Sequence, residues 1–308
     1  MNDREKEFQF DRGASTELEA SPDLWYYEYF QGMSAFGLRI KDMLHTETTP
    51  YQQIAVYDTF LNGKLLVIDG LVMLSEKDEF VYHEMIAHTA MQTMPHAKSA
   101  LVIGGGDGGT IRELAKYEQL EKIVLCEIDQ RVVEVCKEHI PSVASAFSDK
   151  RVECVFDDGA QYVRDQKPGS LDLIIVDSTD PIGPGKVLFT EEFYTSCAIA
   201  LSEKGVLTAQ TETPLYHAAV VSTIYDALTS AFGNAYMYWA CIHSYLGNYW
   251  TFAYASKDRH PINDHSPFGL EGMHCSYYNE GLHKAAFALP NFIRQTLPKG
   301  HPQRDGNI

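Results

Sequence analysis

Four strand-ending stretches of this chain carry acids at the places where an α/β sheet presents its ligand. They are Asp107 in Ile103-Gly-Gly-Gly-Asp-Gly-Gly109, Glu127 in Cys126-Glu-Ile-Asp129, Asp158 in Asp157-Asp-Gly159, and Asp177 with Asp180 in Asp177-Ser-Thr-Asp-Pro181. Gly104, Gly106 and Gly109 fit G-x-G-x-x-G between an apolar run and a helical one, which brings backbone close to a ligand at a helix N-terminus. Glu127 follows about twenty residues later, where a carboxylate accepts from ribose hydroxyls. Asp158 beside Gly159 suits an adenine edge. A dinucleotide site would explain the glycines and Glu127, yet it would set Asp107, Asp177 and Asp180 against a pyrophosphate with no cation between them. A sulfonium or ammonium group is attracted by all of them, so the loop points to a cationic nucleoside. Asp129 and Asp157 read instead as helix N-caps.

Asp177 and Asp180 lie three residues apart on a Pro/Gly-rich loop that runs on through Gly183 and Pro184, a stiff setting that presents both acids to one substrate. An amine is protonated near neutral pH and cannot attack until it loses a proton. One carboxylate serves as base while others hold the remaining charge.

The elements that position these acids are legible from periodicity. Phe36–Ile40, Gln53–Tyr57 and Lys64–Ile68 read as strands, with Asn62-Gly63 and Asp69-Gly70 as hairpin-turn signals. Together they predict a small antiparallel sheet. A linking helix spans Glu79 to Met94 and stops at Pro95. Strands follow at Ala100–Ile103, Lys122–Glu127, Val152–Phe156, Leu171–Asp177 and Val206–Gln210, separated by helical segments. Strands near Ala235–Trp239 and Trp250–Tyr254 add an antiparallel edge. The fold class is therefore α/β, a Rossmann-like, mostly parallel sheet with a small N-terminal antiparallel β domain. The expected division is a flexible extension at 1–23, a β domain at 24–77, a catalytic domain at 78–293 including the linking helix, and a tail at 294–308.

With 45% hydrophobic residues, the 308-residue chain can build a substantial core. A net charge of −17 excludes nucleic acid as the main partner, because phosphate binding needs clustered Lys and Arg. Residues 1–23 lack the basic and apolar regions of a secretory signal, and no apolar run reaches the roughly 20 residues that span a bilayer. Six scattered cysteines without a C-x-x-C pair fit the reducing cytoplasm. His83 and His88 are five apart, not four, and no thiols accompany them, so no metal site is expected.

From Leu24 to Phe292 the chain resembles the polyamine aminopropyltransferases, most closely spermidine synthases of the bacterial type. The resemblance is carried by Leu24-Trp25, Leu44-His-Thr-Glu47, Tyr51-Gln52, Leu66-Val-Ile-Asp-Gly70, Asp78-Glu-Phe-Val-Tyr-His-Glu-Met85, the glycine loop, Asp177-Ser-Thr-Asp-Pro181 with Gly183-Pro184, and Lys284-Ala-Ala-Phe287 with Leu289-Pro290. It implies transfer of the aminopropyl group of decarboxylated S-adenosylmethionine, a co-substrate and not a tightly bound cofactor, to a diamine. The usual diamine is putrescine, and the products are spermidine and 5′-methylthioadenosine.

By the same resemblance, Gln52, Glu127, Asp158, Gly159 and Pro184 match positions holding the nucleoside. Asp107 and His83 match positions near the transferred chain and the polyamine, Asp177 the proton acceptor, and Asp180 a polyamine-binding acid. Tyr82, Ser178, Thr179, Gln210, Glu212 and Tyr245 complete the expected substrate contacts, with Trp25, Tyr82 and Tyr245 as aromatic faces for cations. His83 also has a plainer reading, as a helix histidine facing Glu79 or Glu84. The family further implies a homodimer or homotetramer joined partly through the β domain.

Two stretches depart from the family pattern. Ile242-His-Ser-Tyr-Leu-Gly-Asn248 stands where relatives commonly carry Ile-Pro-Thr-Tyr-Pro-Ser-Gly, and Gln210-Thr-Glu-Thr-Pro-Leu215 ends in leucine where many carry tryptophan. Both fall in the acceptor half, which keeps agmatine, cadaverine or spermidine open as acceptors. Two further activities compete with aminopropyl transfer: methyl transfer from S-adenosylmethionine, and non-catalytic binding of a nucleoside or polyamine. Retention of Asp177 and Asp180 argues against mere binding.

Overall fold

The computed structural model describes residues 24–181 and 183–307. Five strands, β1 (Trp25–Phe30), β2 (Ser34–Thr48), β3 (Gln53–Thr59), β4 (Lys64–Ile68) and β5 (Leu71–Ser75), form an antiparallel meander in sequence order. Asp69 and Gly70 join β4 to β5 with φ of 50° and 79°, the two positive values that a type I′ hairpin demands. Asn62-Gly63 works differently, as the end of a four-residue loop in which the Thr59 hydroxyl accepts from the Asn62 amide at 2.8 Å. Strands β1 and β5 are additions to the three strands expected from the sequence. The N-terminal extension, residues 1–23, lies outside the described residues.

Helix α1 (Glu79–Met91) leads into the second sheet. It is buried nearly all round, so each of its polar side chains needs a partner inside the protein. The helix ends three residues before the expected Met94, where the chain tightens into i→i+3 bonds from Thr93 to Ala90 and from Met94 to Met91. The following Pro95 disfavours α backbone at the residue before it.

Then come β6 (Ser99–Gly104), α2 (Gly109–Ala115), β7 (Lys122–Glu127), α3 (Gln130–His139), β8 (Val152–Phe156), α4 (Gly159–Arg164), β9 (Leu171–Asp177), α5 (Glu191–Ala200), β10 (Leu201–Gln210), α6 (Ala218–Phe232), β11 (Ala235–Cys241) and β12 (Tyr249–Ser256). Short helices α7 (Glu280–Ala286) and α8 (Asn291–Arg294) follow. The sheet order is β11-β12-β10-β9-β6-β7-β8, parallel except at the β12 pairings. Strand order reverses between β6 and β9, where Gly104 and Asp177 are register partners. A ligand crevice belongs outside the carboxyl ends of those two strands.

One core lies on each face of the sheet. Phe193, Tyr194, Ile224, Tyr225 and Leu228 of α5 and α6 pack on one side. Met85, Ile86, Met91, Ile111 and Leu114 of α1 and α2 pack on the other. The described part of the tail, residues 294–307, is docked: Leu297 is fully buried, and the Gln303 amide pairs with both backbone groups of Met237, covering the β11 edge. Among the described residues, no helix is long and apolar enough to cross a membrane.

Candidate active site

Two adjoining cavities open at the switch point. The larger, about 270 Å³, is lined by Tyr51, Gln52, Leu66, Ile68 and Met73 of the N-terminal sheet and by the loops after β6, β7, β8 and β9. The smaller, about 100 Å³, lies between β1, the Ser178–Asp180 segment and the loops after β10 and β11. Met73, Tyr82, Ser178, Thr179 and Tyr245 line both, so the two share a wall.

The glycine loop explains the larger cavity's floor. Gly104 and Gly105 hold φ of 77° and 67°, and a Cβ on either would meet the backbone or the carboxylate of Asp177. Only glycine lets the loop come this close to the end of β9. At Gly109 a Cβ would come within 2.2 to 2.5 Å of three atoms of the His83 ring, and only without it can the first turn of α2 abut that imidazole.

Asp177, almost fully buried, receives the Tyr82 hydroxyl at 2.6 Å on Oδ1 and the Thr110 hydroxyl at 2.6 Å on Oδ2. Burial, reinforced by Asp107 nearby, pushes its pKa up, against the opposing pull of His83 and the two hydroxyls. Asp107 Oδ1 accepts from the Gly109 amide at 2.7 Å and faces His83 Nε2 at 3.2 Å. Burial would raise Asp107, but the His83 charge overrides it and the pKa is lowered. His83 lies against Glu79 as well, 2.5 Å from Nδ1. The helix pairing expected of His83 is present, and the ring also lines the larger cavity; Glu84 instead accepts from the amides of Ser276, Tyr277 and Tyr278.

At the end of β7, Glu127 accepts from the Asp129 amide at 2.9 Å, and burial raises its pKa to about 7. Asp129 caps α3 through the Arg131 amide, and its other oxygen accepts from Gln52 Nε2 at 3.0 Å and from Thr49. It therefore ties the first sheet's loop to the second sheet's cleft. Asp158, not Asp157, caps α4: its Oδ1 accepts from the Ala160 and Gln161 amides. The acid nearest the helix start takes the cap, while Asp157 turns its Oδ1 to the Asp158 amide. Asp158 and Gly159 both line the larger cavity. Pro184 lies in the 3-10 turn Gly183–Phe189, and its side chain is outside the described residues.

The smaller cavity gathers Asp180, Glu212 and Glu28. Asp180 lines this cavity and Asp177 the larger one, so the turn sends the two acids to opposite sides of the shared wall. Burial first, then Glu212 and Glu28, raises Asp180 to about 8. Glu212 is buried with φ of 75°, and its carboxylate meets His217 Nδ1 at 2.8 Å. Glu28 Oε2 accepts from the Val72 amide at 2.7 Å, and burial raises its pKa. Gln210 donates to the Ser178 carbonyl at 3.2 Å and accepts from the Glu212 amide at 3.0 Å, bracing both acidic segments. Tyr245 is anchored to the Met73 carbonyl at 2.6 Å, with its ring 5.9 Å from that of Tyr82.

Sequence reasoning missed Glu28, Thr110 and His217. Glu28 left a signal, being the single acid in the aromatic run Trp25-Tyr-Tyr-Glu-Tyr-Phe30 and the one residue of β1 that is buried. Trp25 was expected to wall the site. Instead it stacks on Tyr27, is 46% exposed, and lines neither cavity. Leu215 is likewise turned outward, 49% exposed, and its neighbour Tyr216 lines the cavity, stacked on Phe30.

Residues 79–266 match the model of the spermine/spermidine synthase domain, and residues 24–76 match that of the spermidine synthase tetramerisation domain. The chain belongs to the spermine/spermidine synthase family. The polyamine aminopropyltransferase of Clostridium beijerinckii is 44% identical over 89% of this chain and 98% of its own length. That of Alkaliphilus metalliredigens is 40% identical over 91% and 99%. Among solved structures, a spermidine synthase in complex with the transition state analogue AdoDATO superposes with a TM-score of 0.87, at 38% identity over 91% of this chain and 97% of that one. The Thermotoga maritima spermidine synthase gives 0.86 at the same identity, over 91% and 96%. The chain is thus an aminopropyltransferase, and the spermidine synthase fold matches its two-sheet architecture.

Proposed function

We propose that this protein transfers the aminopropyl group of decarboxylated S-adenosylmethionine to putrescine, with Asp177 as the base. The observation that carries the reading is the shared wall. A deep cavity with a ribose-type acid, Glu127, meets a small cavity with three carboxylates, and the buried Asp177 stands at the junction behind Tyr82. A solved relative bound to AdoDATO supports a nucleoside donor in the larger cavity.

In this reading Glu127, Asp158 and Gln52 hold the nucleoside. The Oδ2 of Asp107, left open by the pairing of Oδ1, faces the donor's ammonium. The acceptor's far ammonium sits among Asp180, Glu212 and Glu28, and its near amine passes between Tyr82 and Tyr245. Asp177 takes a proton from that amine. The nitrogen lone pair then attacks the methylene carbon next to sulfur, the C–S bond breaks, and its electron pair leaves on sulfur as neutral 5′-methylthioadenosine. The sulfonium is already a good leaving group, so alignment, worth roughly 7 kcal/mol or more, and a positioned base, worth on the order of 10²- to 10⁴-fold, are the main needs.

The small volume, closed by three carboxylates, favours a short diamine, and the outward turn of Leu215 removes one reason to expect a bulkier acceptor. The match of residues 24–76 to a tetramerisation domain supports assembly as a homotetramer through the N-terminal sheet. Initial rates with putrescine, cadaverine, agmatine and spermidine at fixed donor, with products weighed by mass spectrometry, test the reading. Preference for putrescine with spermidine as product is expected. Preference for a longer amine would overturn the acceptor assignment, and a methylated amine formed together with the demethylated, aminopropyl-bearing thioether of adenosine would overturn the chemistry.

A further inference from the structure

Behind the donor cavity, a row of charged side chains runs from α2 through α1 into the glycine loop. Arg112 forks onto Glu79 with two bonds of 2.8 Å. Glu79 Oε2 lies 2.5 Å from His83 Nδ1, and His83 Nε2 lies 3.2 Å from Asp107 Oδ1. Glu79 and Arg112 line neither cavity of the active site; they face a separate, open cavity of about 890 Å³ on the other side of α1. We propose that Glu79 and Arg112 are positioning residues that hold His83 as a fixed imidazolium, which in turn orients the Asp107 carboxylate and keeps it charged for a cationic donor.

The stoichiometry of donors carries this. Nδ1 of His83 is hydrogen-bonded to Glu79 and Nε2 lies within ion-pair distance of Asp107, and an imidazole can serve both carboxylates as an N–H donor only when protonated. A neutral ring would turn a lone pair toward one of the two carboxylates. Glu79 is itself fixed as an anion by the fork of Arg112, a geometry that Lys cannot reproduce. The ring has no freedom to turn away, because Gly109 packs flat against it and the Tyr82 ring meets it edge-on at 5.4 Å.

The titratable and charged groups facing His83 are Glu79 and Tyr82 on α1, Asp107 in the loop, Arg112 on α2 and Asp177 at the end of β9. Burial alone would push the imidazole toward neutrality, and the pKa is nonetheless raised well above 6.5. Arg112 also takes Glu113 on its Nε at 3.0 Å, and Glu113 is paired in turn with Lys116, so the row of alternating charges continues behind Glu79. Removing the Glu79 charge breaks that alternation at a residue that lines neither cavity.

The kinetic consequence rests on the proposed donor; the state of the ring does not. Full-length protein labelled with ¹³C-histidine, its His83 signal assigned by comparison with His83→Gln, should show an imidazolium ring at pH 7.5. In Glu79→Gln the midpoint should fall by about one pH unit or more, and the alkaline limb of kcat/KM for the donor should fall with it. Arg112→Lys should give a smaller shift of the same sign. A neutral His83 ring in the unmutated protein overturns the proposal without any variant. A Glu79→Gln enzyme that is slower with an unmoved alkaline limb also overturns it, because that pattern marks a merely structural residue. Should the ring titrate as proposed while decarboxylated S-adenosylmethionine proves not to be the donor, the function reading fails and the positioning role stands.

Discussion

Asp180 gives the most quantitative handle on the smaller cavity, the proposed acceptor site. Its carboxyl titrates near 8 because it is buried beside Glu212 and Glu28, so at pH 7 the protonated fraction is 1/(1 + 10⁻¹), about 0.9. An ammonium placed among these three acids favours the ionised form and drives that proton off. Binding of putrescine to the free enzyme at pH 7 should therefore release about 0.9 proton from Asp180, and at pH 9, where the fraction has dropped to about 0.1, release should nearly vanish. Calorimetry in phosphate and Tris, whose ionisation enthalpies differ, reads the number directly. Asp180→Asn is the control, since it removes the titrating group and leaves the cavity's shape; proton release should collapse while Glu212 and Glu28 still bind weakly. A binding enthalpy independent of buffer at pH 7 would refute the reasoning, as would full release surviving in Asp180→Asn.

The same shifts set the stability of the free protein. Asp180 near 8, Glu127 near 7 and the raised His83 all carry folded pKa values above their unfolded ones, so their contribution is complete at low pH and lost as pH rises through the folded values. The depressed histidines His260, His265, His283 and His301 act oppositely, but only below about 6.5. The thermal midpoint should consequently fall between pH 6.5 and 9, and putrescine with 5′-methylthioadenosine should flatten the fall; a midpoint rising over that range contradicts the assignments. Gly109→Ala drives a methyl group against the His83 ring and should cut kcat by about 10-fold or more with a folded circular dichroism spectrum, whereas native kinetics would show the contact is not needed. Asp129→Ala removes the α3 cap and the Gln52 anchor together, so chemical denaturation should report a loss of about 1–2 kcal/mol, accompanied by weaker nucleoside binding.

Much of the fold was legible because the central strands are short apolar runs bounded by turn residues. Lys122–Glu127, Val152–Phe156 and Leu171–Asp177 keep the same bounds in the structure. β1 escaped notice because an aromatic run with one acid carries no clean alternation, and the end of α1 was overrun because burial on all sides erases an apolar face. The acids proposed to face the donor stand out in the sequence because each ends its strand in a fold whose ligand side is known in advance. The acids of the smaller cavity were only half readable. Asp180 and Glu212 lie in motifs, but their company with Glu28 is made by β1 folding across from the far end of the chain. Which neighbouring Asp caps α4, and which side of the wall a turn sends an acid to, are decided by backbone angles that residue types leave open.

The central claim is that Asp177 takes the proton of the attacking amine. Asp177→Asn keeps the size of the side chain and the Thr110 contact on one side, so 5′-methylthioadenosine should bind within about 2-fold of the native affinity while single-turnover formation of spermidine falls by about 10²-fold or more. Native turnover in Asp177→Asn would contradict the account.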